Sequence, residues 1–202
     1  EGYDTYWLNE PLRMAFTQGH NVFIDGGDQA FLYGVGISYN NTQGVMKKSN
    51  RDVLNGNIRL TYRVKDLSFT NQTTIGSTKA ENNIVDFSAY SQMNPFYAKR
   101  TKDGEIPKYV FRESLAGANR YDYIWNPLWD YNQKSINESN NWNITNNFQI
   151  EYRFFRNFRI RGNLQYQMTK LETEIFRSPN ETRFAQTEAD KKGSYSKTST
   201  SN

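Results

Sequence analysis

The stretch FLYGVGISYN, residues 31–40, alternates without a break. Phe31, Tyr33, Val35, Ile37 and Tyr39 fall on one face of a strand, and Leu32, Gly34, Gly36, Ser38 and Asn40 on the other. Successive side chains of a strand point to opposite faces, so this is a strand with one aromatic and β-branched side and one small or polar side. The chain around it is hydrophilic: 36% of its 202 residues are hydrophobic and the mean hydropathy is −0.88. Yet 14 Tyr, 13 Phe and 4 Trp are too many for a disordered polypeptide. Apolar residues concentrated at every second position reconcile the two.

The same period recurs in six predicted strands that fall into three hairpins. The first joins residues 20–25 to 30–40 through GGDQ. The second joins 53–64 to 67–77 through Lys65-Asp66. The third joins 142–154 to 158–168 through Phe155-Arg156-Asn157. Closing these turns predicts registers. Phe154 faces Phe158, Tyr152 faces Ile160, Phe148 faces Leu164 and Glu151 faces Arg161. Tyr62 faces Phe69 and Ile58 faces Thr73. Ile24 faces Phe31 and Val22 faces Tyr33. In each hairpin the apolar sets land on one side, which a one-residue slip would destroy.

The connections alternate in length. Short turns contrast with excursions at 41–52, at 78–141 and after 169; the middle one carries eleven aromatics. Short turns at one end of a sheet and long loops at the other suit an outer-membrane barrel. A soluble sandwich also alternates, with its apolar face toward a core. Three features point to the barrel: strands of 11 to 13 residues, a polar face of Arg, Glu, Gln and Asn, and aromatics near the short turns. Those aromatics are Phe31, Tyr62, Phe69, Tyr152, Phe154 and Phe158. No run approaches the 18 apolar residues of a transmembrane helix, which leaves spanning strands open. There is no cysteine, hence no disulfide and no thiolate metal site. The net charge of +4 is scattered, so nucleic acid is not an expected partner. The N-terminus does not read as a signal peptide, and an exported protein would here be an excerpt or a mature form.

The run WLNEPLRMAFTQGHNVFIDGGDQAFLYGVGISYNNTQGVMKKSNRDVLNGNIRLTY, residues 7–62, resembles the start of the barrel in SusC-like, TonB-dependent outer-membrane transporters. The resemblance is carried by Trp7-Leu8-x-Glu10, Gln18-x-His20-Asn21-Val22, Gly26-Gly27 followed by Asp28, Gln43-Gly44-Val45 and Asn57-x-Arg59-Leu60. Residues 91–104, with Asn94-Pro95 and Asp103-Gly104, are similar to a long-loop segment of that family. The resemblance implies an antiparallel transmembrane β-barrel of 22 strands filled by a plug, in the outer membrane of a Bacteroidota-like cell. It further implies import of glycans or peptides, energised through TonB, with a SusD-like lipoprotein as lid. On this reading residues 1–202 are a partial barrel of about six strands. Residues 1–19 lead in, 20–77 hold strands one to four, 78–141 form an extracellular loop, 142–170 hold the last two strands, and 171–202 are a loop or disordered tail. Neither plug nor TonB box lies in the chain, so it is expected to be an excerpt of a larger protein.

Two constellations stand out. Glu151, Arg153, Arg159 and Arg161 cluster on the predicted lumen face, either steering substrate or contacting a plug, or simply pairing across strands. Phe96, Tyr97, Tyr121, Tyr123, Trp125, Trp129 and Tyr131 lie in the long loop, where they either meet substrate or lid or pack the loop on itself. His20, the only histidine, falls on the apolar face near a strand end, which suits an interface. Asp25-Gly26-Gly27-Asp28 lacks calcium-loop spacing and reads as a tight turn. Sequons at Asn40, Asn71, Asn137, Asn143 and Asn180 are chance matches in an Asn-rich chain. No catalytic, cofactor or metal site is expected. The alternative reading is a secreted β-sandwich that binds carbohydrate.

Overall fold

The computed structural model describes residues 5–114, 121–155 and 158–202. Among the described residues nine strands and two short α-helices follow one another: β1 Phe16–Gly27, β2 Phe31–Gln43, β3 Asn50–Val64, β4 Leu67–Glu81, α1 Phe87–Ser91, β5 Tyr109–Ser114, β6 Tyr121–Trp125, α2 Pro127–Tyr131, β7 Ile136–Phe154, β8 Phe158–Arg177 and β9 Ser194–Ser201. Seven form one antiparallel sheet in the order β1-β2-β3-β4-β7-β8-β9, and β5-β6 is a separate two-stranded ribbon.

Two of the three predicted registers hold residue for residue. Phe154 pairs with Phe158, Glu151 with Arg161 and Phe148 with Leu164; Tyr62 pairs with Phe69 and Ile58 with Thr73. Of the third hairpin's turn, Arg156 and Asn157 lie outside the described residues. The first hairpin is different. Ile24 faces Val35 and Val22 faces Ile37, because β1 continues through Gly27 and the turn is Asp28-Gln29-Ala30. The Asp28 carboxylate accepts from the backbone N–H of Ala30 and Phe31, both at 2.8 Å, and Gly27 takes φ +130°, which only glycine adopts freely. The displacement is even, so the apolar sets still share a face.

The strands also outrun their predicted ends. β1 begins at Phe16, while β7 and β8 run 19 and 20 residues. The extra length of β7 is mostly polar, and that of β8 puts Leu171 and Ile175 at the parity of the polar face, so the alternation that marks the rest of the strands fails there. The tail, expected as loop or disorder, contains β9, which pairs along the outer half of β8 from Lys170↔Ser201 to Arg177↔Ser194. Its Ser/Thr/Lys sequence has almost no apolar face, so only the neighbouring edge reveals it.

Among the described residues nothing covers the apolar face of the sheet. Tyr33 and Ile58 are 41% and 40% exposed, and Phe148 is half-buried beside Phe69. The sandwich reading required a second layer over these residues, and no such layer is present among the described residues. A buried apolar cluster, Trp7, Tyr90 and Leu128, lies in the lead-in and long loop instead. Trp7 opens a single 3-10 turn, and its indole N–H donates to Asn94 O at 3.2 Å, so the lead-in is stitched into the loop. Asn126 caps α2 by accepting from Leu128 N, with Pro127 at the first helical position.

Candidate functional site: two unlike faces and a loop cap

The registers align side chains into rows across the sheet. On the apolar face one central row reads Ile24, Val35, Ile58, Thr73, Asn146, Tyr166. Toward the long loops the apolar character stops abruptly: the row Tyr39, Leu54, Ser77, Trp142 gives way to Asn41, Asp52, Lys79, Asn140, Glu172. At about 3.3 Å per residue, the apolar run from Val64 to Leu54 of β3 spans about 33 Å along the strand. That from Phe154 to Trp142 of β7 spans about 40 Å. Strands tilted by about 45° would reduce these to bands about 23 and 28 Å tall.

Two carboxamides interrupt this band, Asn71 and Asn146. They are closed on each other and on Thr73: Asn146 Nδ2 donates to Thr73 Oγ1 at 2.7 Å and to Asn71 Oδ1 at 3.1 Å, and Asn71 Nδ2 donates to Asn146 Oδ1 at 3.2 Å. The opposite face behaves otherwise. Asn40, Asn57 and Asn143 make no side-chain hydrogen bond among the described residues.

The predicted charged cluster is assembled. Glu151 Oε2 accepts from Arg161 at 3.0 Å, and Oε1 accepts from Arg153 at 3.1 Å with Arg159 at 3.7 Å. One carboxylate thus serves three exposed guanidiniums, and the cluster keeps a net positive charge. Arg59 and Arg63 lie on the same face, with no carboxylate at ion-pair distance among the described residues. Together with Asp25, Arg153 and Glu151 they line a hollow of about 990 Å³ beside the short turns.

The loop aromatics form stacks rather than one platform. Tyr123 stacks on Trp125 at 5.3 Å and meets Tyr109 edge-on at 5.2 Å, while Tyr97 stacks on Phe111 at 5.4 Å. Phe96 is 73% exposed. Trp129 donates its indole N–H to Asn180 O at 2.9 Å, and Tyr131 lies under the Lys48 ammonium. Tyr121 begins β6 by pairing with Ser114, and its side chain lies outside the described residues. Tyr90, in the cluster with Trp7 and Leu128, is fully buried; its hydroxyl has no partner among the described residues, and burial pushes its titration up.

A latch not anticipated from sequence ties the loop to the segment after β8. Glu181 is 1% exposed, is paired with Arg183 at 2.8 Å, and accepts from the Ser135 hydroxyl; Asp130 accepts from Thr182 N at 2.7 Å. No local pattern announces partners that lie about fifty residues apart.

No protein-family model and no curated protein matches this chain. Solved structures do. The RagAB peptide transporter superimposes with a TM-score of 0.69 at 15% identity over 89% of this chain and 20% of that one. The RagAB peptide importer gives 0.68 at 16% identity in its 'closed-closed' state, over 90% of this chain, and 0.68 in its 'open-open' state. At this identity the likeness shows the fold, an all-β antiparallel segment. The chain spans about one fifth of the length of each chain it matches.

Proposed function

We propose that this chain is a wall segment of a SusC-like, TonB-dependent transporter of the outer membrane, importing oligopeptides or glycans under a SusD-like lipoprotein lid. The observation that carries the reading is the contrast between the faces. Unpaired amides are costly in hydrocarbon and harmless in water. Asn71 and Asn146 of the apolar band are paired with each other, while Asn40, Asn57 and Asn143 opposite make no side-chain hydrogen bond among the described residues. The band height, about 23–28 Å along β3 and β7, is close to the roughly 25 Å of outer-membrane barrels. The likeness to RagAB supports the same reading, and its name adds peptides as cargo.

In this account Glu151, Arg153, Arg159 and Arg161 face the bore near its periplasmic end, where they steer cargo or hold a plug. Phe96, Tyr97, Tyr121, Tyr123, Trp125 and Trp129 belong to the extracellular cap that meets cargo or lid. The wall performs no covalent chemistry; TonB acts through a plug outside this chain. The test is extraction of the full-length protein from its native cells. Release from membranes only by detergent, with a heat-dependent shift of the folded band in gels, is expected. A full-length protein soluble without detergent would refute the reading.

A further inference from the structure

Three cross-strand pairs on the polar face repeat one arrangement: Gly19 opposite Asn40, Gly36 opposite Asn57, and Gly76 opposite Asn143. A Cβ built on these glycines would stand 2.4 Å from Asn40 Oδ1, 2.7 Å from Asn57 Nδ2 and 2.3 Å from Asn143 Oδ1. Each carboxamide therefore lies down over its glycine, which thins the wall, and its donors and acceptors have no protein partner among the described residues. The three pairs occupy three consecutive rows. In those rows, which cross β3 at Asn57, Asn55 and Val53, every paired position from β1 to β8, and Thr200 of β9 in the last row, is uncharged. In a chain that is 23% charged, about four charges would be expected over as many positions. Charge resumes on either side, at Arg59 toward the short turns and at Arg51 toward the loops.

We propose that this neutral amide band is the surface along which an extended peptide passes, recognised by its main chain and not by the sign of its side chains. The proposal rests on the transporter reading and narrows its cargo. A carboxamide offers a donor and an acceptor, the same pair that a peptide unit presents. Sugar rings pack on aromatic faces, and Phe23 is the one aromatic residue in the three rows. A formal charge in the wall would hold cargo of opposite sign and repel cargo of like sign. Its absence lets both pass.

The test measures uptake of three radiolabelled peptides of equal length, neutral, Glu-bearing and Lys-bearing, by cells carrying the full-length protein. The wild type should import all three within about two-fold. Asn57→Asp with Asn143→Asp is isosteric, and each new charge should disfavour a like charge about 6 Å away through water by about three-fold. The anionic peptide should slow, and the neutral one should not. Asn57→Lys with Asn143→Lys should reverse the preference. A wild type that discriminates ten-fold by sign, variants that slow all three peptides alike, or import of a neutral oligosaccharide with exclusion of peptides would each overturn the proposal. Entry of no probe through a protein that is demonstrably membrane-embedded would overturn the transporter reading, and this proposal with it.

Discussion

Ile58 and Asn57 are neighbours in β3 and point to opposite faces, so the same substitution at each separates lipid from water. Ile58 lies six residues from Val64, about 20 Å along the strand, or about 14 Å in depth at a 45° tilt. Within a band about 23 Å tall on β3 that is near the mid-plane. An arginine there is expected to cost about 2–4 kcal/mol. At about 3 kcal/mol the folded-to-unfolded ratio falls by more than a hundredfold. Asn57 looks onto the polar face over Gly36, where arginine already occurs one row away at Arg59. Asn57→Arg should therefore stay within about 0.5 kcal/mol of the wild type. Reversible denaturant unfolding of the full-length protein from lipid vesicles, followed by tryptophan fluorescence, measures both. Equal costs, or a larger one for Asn57→Arg, would refute the assignment of faces.

The amide clasp predicts non-additivity. Asn71→Ala leaves Asn146 short of a partner inside the band and should cost about 1–3 kcal/mol, whereas Asn71→Leu, Thr73→Val and Asn146→Leu together should be near neutral in the same unfolding assay. Glu181→Ala removes the carboxylate shared by Arg183, Arg177 and Ser135 and should destabilise the loop latch by about 1.5–3 kcal/mol, seen as faster hydrogen exchange near Thr182 with the sheet unchanged. Two backbone N–H donors hold the Asp28 carboxyl below its ordinary titration range. Its contribution to the turn is thus complete above that range and fades as pH falls through the lowered value. Asp28→Asn should flatten that acid limb when unfolding is followed against pH.

Legibility followed the distance over which each constraint acts. The hairpins at Lys65-Asp66 and Phe155-Arg156-Asn157 were readable because a short turn joins adjacent residues and sets the register itself. At Asp28 the side-chain cap moved the turn, but an even displacement kept the faces. The Glu151 cluster was readable because all its members border one short turn. The β4–β7 seam was not: its strands are separated by the long loop, so no turn sets their alignment, and the clasp of Asn71, Thr73 and Asn146 emerges only once they pair. The same holds for Asn143 over Gly76, for β9 along β8 and for the Glu181 latch.

The order of residues alone determined an all-β chain with one face apolar and one polar, because period two is a local property of the backbone. Only the tertiary structure decided which amides close on one another and which stay open. That depends on which rows come side by side, and through-space alignment across long loops leaves no trace in local alternation.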